Sequence, residues 1–582
     1  MSGALATRTT RQPFQGQNFV ALRDECNQRL IALETIRTSW WRSWRELAQF
    51  ILPRRYRWLV TPSQWNRGSQ INQAILDPTA TIALRDLAAG LMSGVTSPSR
   101  PWFRLGIDDD RLRDDPEVQV WLSDTTERLN RIMARSNYYV AKAVQYFDNV
   151  VFGTAPMLIY EDPEKVIHCF NPCAGEYCVA NGPRLTVDTL YRRLTMTADQ
   201  MVRKFGVENV SISVRQAWQT RGAMLDQEFV IGHAIEPNPD FVADLSASRM
   251  PSPSGVPRHF QFREIFWDMQ DAEKPLRVTG FHEQPFSCPR WDVSGNDAYG
   301  RAPGWDLLGL TKQLQLETKR KAEALDKMVK PPMMADVSMK NEPAALIPGS
   351  VTYVPSIQGG IGFKPVFQVI PPVKEIMGDI QDVRATIRSI AFEELFKTIS
   401  RLESVRTAEE IRARQAEQLV LLGPVLERNE TEGLDPDVNR IYNIAVRRGL
   451  IAPPPQALRG AAGANVRVQY SSMLAEAQRA SATGALVQLA GFAGSFAALV
   501  PQAVDNLAVD DMVRRYADLL GVDPKLLNPP NKVGQIRQDR AKQQQGAAAL
   551  QVGQAAATGA KTLSEADMSS ANALTALTGG GV

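Results

Sequence analysis

Hydrophobic residues recur every three or four positions over long stretches of this chain, which predicts a mainly helical protein. The pattern is most regular between Gly304 and Ser400, where we expect two long helices over 305–328 and 373–398. The second helix carries an apolar seam made of Val373, Ile376, Ile380, Val383, Ile387 and Ile390. Such a seam is typical of a coiled coil, so it should face another helix along its whole length. At about 1.5 Å per residue the pair would form a slender strut, roughly 35–40 Å long.

Residues before the strut alternate helical and strand patterns, which predicts a mixed α+β body over about the first 300 residues. A helix is expected over 19–51, and it carries Trp40, Trp41 and Trp44 on one face. Tryptophans so spaced favour an anchor in the core over a base-stacking or membrane-interface role. Strands are expected within 165–195 and 262–290, and an exposed loop over 236–258.

The segment between the strut helices and the segment after them have different patterns. Residues 331–370 alternate apolar and polar positions around Gly359-Gly360, which predicts a hairpin in a small α/β module. After Ser400 the pattern is helical over 407–422, 435–449 and 471–520. Beyond Gly534 the chain is rich in Gln, Ala and Gly, so we expect this tail to be disordered or ordered only by a partner.

Composition fits a multidomain soluble protein. The chain has 582 residues and a formal net charge of +3, so it lacks the global basic field of a DNA-coating protein. Its five cysteines favour reduced thiols. The N-terminus has no apolar stretch of the signal-peptide kind. The longest apolar run, over 485–500, is shorter than the roughly 20 residues of a bilayer span, which favours a buried helix.

Motifs of catalytic and metal sites are missing from the sequence. No glycine is followed by lysine, which excludes a Walker A phosphate loop, and there is no His-Glu-x-x-His, Gly-x-Ser-x-Gly or Cys-x-x-Cys. The set His168, Cys169, Cys173 and Cys178 has zinc-ligand chemistry but lacks paired close spacings, so core or surface roles are favoured over a metal site. We therefore expect no enzyme activity, no catalytic or metal residues and no cofactor.

Basic residues follow the strut helices. They could form a solvated face with intrahelical ion pairs, or a cationic lining that meets phosphates without reading bases. A ring of copies would turn such a lining into a charged tunnel. The candidates for the lining are Lys319, Lys321, Arg384, Arg388, Lys397 and Arg401.

Several stretches, in order, resemble the portal proteins of podovirus-type phages, the head-to-tail connectors of short-tailed phages. They are SWWRSWRELAQFILPRR at 39–55, LDPTATIALRDLAAGLMSGVTSPSRPWFRL at 76–105, SNYYVAKAVQYFDNVVFGTAPMLIYED at 136–162, YGRAPGWDLLGLTKQL at 299–314, KPPMM at 330–334, RTAEEIRARQAEQLVLLGP at 406–424 and RGLIAPPP at 448–455. None is a catalytic signature, but together they span about residues 20–455. From about residue 470 the resemblance is only to a helical crown in general.

This resemblance implies the fold of a portal subunit, which is α+β and mainly helical. The implied parts are an α+β wing (1–303), stem helices (304–330 and 372–398) around a small α/β clip (331–371), a tunnel loop (399–404), the rest of the wing (405–470), a helical crown (471–547) and a flexible or barrel-forming tail (548–582). The seam would then pack against its hairpin partner and the neighbouring subunit.

The resemblance also implies a function and partners. The chain would form a ring, usually of twelve subunits, at one capsid vertex, as the conduit for DNA packaging and ejection. Implied partners are double-stranded DNA without sequence specificity, the terminase, a tail adaptor, and the major capsid and scaffolding proteins, with assembly in the host cytoplasm and residence in the virion. Two alternatives stay open: a nucleic-acid enzyme or motor, disfavoured by the missing motifs, and a helical scaffold or membrane-peripheral assembly protein without a DNA role.

Overall fold

The computed structural model describes most of the chain. The described residues are 19–59, 74–107, 109, 112, 115–243, 256–270, 275–329, 333–334, 364–365, 372–393, 422–460, 466–470, 488–492, 508–520, 528 and 530–564. They divide into two compact units, one formed by 1–106, 124–453 and 466–478, and the other by 107–123, 454–465 and 479–582. Several expected elements lie wholly or mostly outside the described residues. They are the hairpin at Gly359-Gly360, all but the last residue of the helix over 407–422, most of the loop over 236–258 and most of the helical stretch over 471–520.

Helices and antiparallel sheets both build this protein, as the α+β prediction requires. The helices are α1 (Phe19–Phe50), α2 (Thr79–Val95), α3 (Pro116–Arg135), α4 (Tyr138–Phe152), α5 (Ala198–Phe205), α6 (Ile212–Thr220), α7 (Pro303–Val329), α8 (Val373–Ile390), α9 (Asp435–Arg447), α10 (Gln456–Gly460), α11 (Val509–Leu520) and α12 (Pro530–Ser564). The strands are β1 (Phe103–Ile107), β2 (Met157–Asp162), β3 (Val166–Phe170), β4 (Tyr177–Asn181), β5 (Val187–Thr197), β6 (Glu228–Pro237), β7 (Phe262–Asp268), β8 (Pro275–Phe281), β9 (Phe286–Ser287), β10 (Met333–Met334), β11 (Lys364–Pro365) and β12 (Val466–Tyr470).

A five-stranded antiparallel sheet, ordered β4-β5-β6-β7-β8, is the centre of the body. Its side chains alternate between two apolar layers, because successive strand residues point to opposite faces. On one face α1 packs through Cys26, Leu30 and Leu33. On the other, α5 and α6 pack on residues that include Phe229 and Phe266. Smaller sheets are β3-β2-β9, β1-β12 and β10-β11.

The tryptophan anchor predicted on α1 is confirmed. Trp44 is fully buried, and its ring meets the edge of Tyr299 at 5.2 Å between centroids. Trp40 packs edge-on against Trp305 at 5.4 Å. The side chains therefore join α1 to the start of α7, and their apolar surface is removed from water.

Residues 116–153 form two helices, α3 and α4. The break falls at Asn137, whose side chain donates to the carbonyl of Cys169 (2.7 Å) and accepts from its N–H (2.8 Å). This tertiary pair of hydrogen bonds turns the chain towards β3, and no local pattern announces it.

The expectation that the tail is disordered was wrong over part of its length, whereas ordering of the tail by a partner stays a prediction. Residues Pro530–Ser564 form a single helix instead of an unstructured segment. Alanine and glutamine have good helix propensity, so a helix needs no periodic apolar face to form. The helix keeps large apolar residues exposed, with Leu550 at 68% and Val552 at 69%.

The segment after the strut helices returns to the body and is fixed there by buried charges. Lys142 of α4 and Asp437 of α9 are both fully buried, with 2.9 Å between Nζ and Oδ2. Arg290 donates from Nε to Glu432 Oε2 at 3.0 Å, within the π-helical turn Glu430–Leu434. These pairs join residues far apart in sequence. The body is therefore built from chain segments that come before the strut helices and from segments that come after them.

A buried polar network crosses the five-stranded sheet. His233 Nδ1 accepts from Arg192 Nε at 2.8 Å, which leaves Nε2–H to donate to Glu264 Oε1 at 3.1 Å. Glu264 also accepts from Thr279 at 2.9 Å and from Arg277 at 3.2 Å. Burial, only partly offset by the hydrogen bond to Glu264, lowers the pKa of His233, so this imidazole is neutral at physiological pH.

Acid is expected to destabilise the subunit through His233. An unfolded histidine binds a proton below about pH 6.5, whereas the buried imidazole does not, so stability is present above that pH and falls as pH falls below it. Unfolding by urea at pH 7.0, 6.0 and 5.0 should show a loss of about 2 kcal/mol from this group at pH 5. His233→Gln should flatten the dependence between pH 6.5 and 5, whereas His168→Gln, at an exposed site, should not. An unchanged slope in His233→Gln would contradict the assignment.

Candidate nucleic-acid interface

The first strut helix, α7, starts deep in the body. Gly304 lies against α4 so closely that a Cβ there would be 2.5 Å from the carbonyl oxygen of Val151. The indole of Trp305 donates to the carbonyl of Phe152 at 3.1 Å. Only glycine permits this approach of two backbones, so the origin of α7 is fixed by packing and by a hydrogen bond.

Both strut helices pass from a buried inner half to an exposed outer half. On α7 the last buried residue is Gln315, and the chain from Leu316 to Val329 is exposed or half-buried. On α8 the first buried residue is Ile380, which is 3% exposed, and the residues from Val373 to Asp379 are exposed or half-buried. The outer half therefore extends over about 14 residues of α7, or roughly 21 Å. The predicted pair of long helices is confirmed for α7, whose ends agree with the expected ones within two residues.

Helix α8 is shorter than expected. It starts at Val373, as predicted, but ends at Ile390 rather than Thr398. Ala391 is its C-cap, and Phe392 has a φ of 53°, in the left-handed region that non-glycine residues seldom adopt. The apolar periodicity continues up to this break, so the pattern gave no sign of it.

The apolar seam is divided between the two halves of α8. Its inner residues Ile380, Val383 and Ile387 are buried within the chain itself, where α8 packs against α7 and α2. The remaining members, Val373, Ile376 and Ile390, are half-buried. Exposed apolar side chains extend the surface of the outer half: Leu316, Leu325, Met328, Val329 and Met377. That a neighbouring subunit covers this outer surface remains a prediction.

A polar cluster joins the two strut helices to the start of α2 at the boundary between the halves. Asp77 Oδ2 accepts from Arg384 at 2.9 Å (Nε) and 2.8 Å (Nη2). Its other oxygen accepts from the backbone N–H of Thr79 at 2.9 Å. Burial by itself raises the pKa of Asp77, but the bonds from Thr79 and Arg384 outweigh it and hold this pKa below its usual value.

Gln315 completes this cluster from the side of α7. Its Oε1 accepts from the N–H groups of Leu76 (2.6 Å) and Asp77 (2.8 Å), and its Nε2 donates to the carbonyl of Asp77 at 2.8 Å. Every polar atom of the amide is used by the backbone ahead of α2. Sequence reasoning missed Gln315, because a glutamine on a helix carries no signal of its own.

The other predicted lining residues are in different surroundings. Lys319 is 66% exposed and lies 4.0 Å from Glu323, one turn along α7. Lys321 is half-buried. Arg388 is 53% exposed, with Nε 3.6 Å from an oxygen of Glu393. The Lys319–Glu323 pair is long and exposed, so it is screened by solvent and Lys319 remains available to an anion. Glu393, in contrast, is buried. Lys397 and Arg401 lie outside the described residues.

The five cysteines are free thiols, and four of them are buried. Cys169 and Cys178 are buried, and burial raises the pKa of the Cys173 and Cys178 thiols to about 12. Across the described ranges of the chain, no three His, Cys, Asp or Glu side chains are placed to hold a metal ion. Nor does any helix in those ranges have the length and apolarity needed to cross a membrane.

The comparisons with known proteins decide the family. The family model described as bacteriophage head to tail connecting protein matches residues 23–527. The chain belongs to this family. It is 39% identical over 553 residues to the portal protein of Salmonella phage epsilon15, with 94% of this chain and 97% of that protein covered. It is 38% identical over 550 residues to the probable portal protein of Bordetella phage BPP-1, with 94% and 96% covered.

The resemblance seen in the sequence is thereby confirmed. Members of the connector family are structural proteins of the phage particle, and this chain is a portal subunit that assembles into a ring at one capsid vertex. The ring is the conduit for DNA packaging and ejection and the docking site for the terminase and the tail. The projecting helix pair is accordingly the candidate stem, and the term stem is used for α7 and α8 below.

Proposed function

We propose that twelve copies form the ring and that their stems line a channel which holds double-stranded DNA without reading its sequence. The observation that carries this proposal is the exposed outer half of the stem, which bears cations and apolar side chains on a rigid pair of helices. Apolar side chains at this site favour a neighbouring stem as their cover. Cations held at fixed positions meet phosphates, which carry no sequence information.

The cations proposed to face DNA are Lys319, Lys321, Arg388, Lys397 and Arg401. Arg384, the remaining candidate from the sequence, donates two hydrogen bonds to Asp77 and is considered separately below. Repetition around a ring multiplies each weak phosphate contact, which makes affinity depend on salt concentration. DNA can move through the channel only if each phosphate contact is weak. Otherwise the DNA would be held at one position along the channel.

The parts of the subunit are proposed to divide the work as follows. The wing (1–303 and 405–470) packs against capsid and scaffolding proteins, and the clip (331–371) docks the terminase and then the tail adaptor. The tunnel loop (399–404) contacts DNA, and the crown (471–547) and tail (548–582) point into the head. Assembly takes place in the host cytoplasm. The antiparallel pairing of β10 with β11, Met333 opposite Pro365, supports a β-paired clip.

Electron microscopy of the purified protein tests the assembly. Uniform rings with twelve-fold symmetry and a central hole wide enough for a DNA duplex are expected. Rings of another copy number would correct the stoichiometry alone. Monomers or sheets at all concentrations would contradict the proposed ring.

Neutralising Lys397 and Arg401 together is expected to reduce DNA packaging while rings still form. Both residues are among the cations proposed to face DNA, so the double alanine variant removes two cations per subunit from the channel. Proheads carrying the variant should protect less DNA from nuclease than wild-type proheads. The matched control replaces Lys165 and Arg184, two exposed cations of the body, with alanine. Equal protection by both variants would count against the channel assignment.

A further inference from the structure

The cluster of Asp77, Gln315 and Arg384, called here the Asp77 joint, lies where the stem leaves the body. Gln315 is the last buried residue of α7, and Arg384 follows the first buried turn of α8. Both bind the same short segment, residues 76–77, immediately before α2. The Asp77 carboxylate and the backbone of residues 76–77 thus contact both stem helices. These contacts lie where the two helices stop packing against the body.

The chemistry of the joint fixes orientation as well as distance. The Arg384 guanidinium is planar, and two of its nitrogens donate to one carboxylate oxygen of Asp77. Such a charge-assisted contact between a half-buried guanidinium and a buried carboxylate is directional. Asp77 is only 4% exposed, so water competes little for it. Gln315 holds the opposite side by three hydrogen bonds to backbone, which cannot move without α2.

The outer half of the stem amplifies any change of angle at the Asp77 joint. It extends roughly 21 Å beyond Gln315, so a tilt of about 10° at the joint displaces the tip by roughly 4 Å. In a ring of stems a displacement of that size changes the width of the channel. Small rearrangements at the joint therefore have large consequences at the far end.

We infer that the Asp77 joint positions the stem in the portal ring, and that Arg384 serves as a positioning residue rather than as a DNA-facing cation. The expected effect on DNA packaging rests on the proposed channel function. The contacts of the joint are a property of the folded subunit and do not depend on that function. This inference gives Asp77 and Gln315 a role in positioning the stem. The charge pattern of the stem helices in the sequence predicted no role for either residue.

The test compares single variants with a neutral pair. Arg384→Met removes the guanidinium and leaves the buried carboxylate of Asp77 without its cation. Asp77→Asn keeps an oxygen for Thr79 but places an amide N–H against the Arg384 donors. Each single variant is expected to lower the thermal midpoint of the ring and to reduce nuclease-protected DNA in proheads.

The double variant Asp77→Asn with Arg384→Gln is expected to recover much of both losses. A glutamine amide reaches the position of the Arg384 Nε, 2.9 Å from Asp77 Oδ2, so the two amides can form one neutral hydrogen bond. The effects of two substitutions do not add when the two residues are in contact and act as a pair. The matched control is Lys374→Met, which removes an exposed cation from the same helix and should leave the midpoint unchanged.

The outcomes separate the two roles of Arg384. A DNA-facing cation predicts that Asp77→Asn has no effect on packaging and that the double variant packages as poorly as Arg384→Met. That result would overturn the inference, and so would a midpoint of the double variant at or below both single variants. Recovery of the midpoint without recovery of packaging would support the joint and count against the channel function. If the single variants form no rings, the same comparison is made on the unfolding midpoint of the subunits.

Discussion

Ile387→Asp is expected to prevent the accumulation of folded subunits, and with them of rings. Ile387 is fully buried within its own chain, where α8 packs against α7 and α2. A carboxylate placed there loses its hydration without gaining a partner, at a cost of several kcal/mol. Total stabilities are about 5–15 kcal/mol, so one such change removes a large share. Soluble yield and the urea midpoint measure the effect.

Ile380→Asp should act in the same direction, because Ile380 is only 3% exposed. The apolar seam in the sequence predicts that Ile380→Asp and Ile387→Asp block ring assembly, with the double variant as the test; the burial of both residues within their own chain locates the cause in the subunit itself. Met377→Asp is the matched control, on the same helix but 44% exposed. It should leave the subunit folded and impair rings if the outer stem packs against a neighbour. Folded, soluble Ile387→Asp subunits would contradict the burial described for α8.

Lys142→Met is expected to destabilise the body by about 3–5 kcal/mol, the usual cost of breaking a buried ion pair from one side. The ammonium of Lys142 lies 2.9 Å from Asp437, and both side chains are fully buried. Burial raises the pKa of Asp437 despite this partner and the hydrogen bond from Tyr138. Without the ammonium the carboxylate must stay charged without its cation or take up a proton. The urea midpoint at pH 7.5 reports the loss.

A double variant, Lys142→Met with Asp437→Leu, should regain most of this stability. Replacing both members of a buried pair by apolar residues is often neutral, because no charge remains to be desolvated. Recovery will be incomplete, since Tyr138 and Gln145 lose their polar partners. Lys312→Met is the control: Lys312 and Glu46 form a pair of similar length, 2.7 Å, but at 40% and 31% exposure. It should cost at most about 1 kcal/mol. A double variant no more stable than Lys142→Met would refute the account.

Local patterns were sufficient wherever a helix or strand follows its own periodicity. The apolar spacing and the prolines at 371–372 placed the start of α8 at Val373, and the strand pattern placed part of β5 before Thr197. Thr197 then caps α5 with a reciprocal bond to Gln200, a local arrangement. These features depend on residues a few positions apart, so the printed sequence carries them.

The sequence could not show where periodic elements stop for tertiary reasons. Helix α8 ends at Ile390 although the sequence favoured a helix up to residue 398, and the helical stretch over 116–153 is divided near Asn137, whose side chain is bonded to Cys169. The π-helical turn before α9, which presents Glu432 to Arg290, was missed as well. In two of these cases the partner is distant in the chain, so no window of neighbouring residues contains the cause.

The sequence by itself determined the family, the mixed α+β class and the two stem helices, because ordered motifs and periodicity are properties of the chain. The tertiary structure decided what the charged residues of the stem do. The dipeptide Asp77-Pro78 is typical of the start of a helix. One oxygen of Asp77 nevertheless accepts from Arg384, which lies 307 positions further along the chain. Arg384 and Arg388 are both arginines of α8, but Arg384 is half-buried and makes two contacts of 2.8–2.9 Å to Asp77, whereas Arg388 is 53% exposed and only 3.6 Å from Glu393. Partner and geometry, not residue type, set their roles.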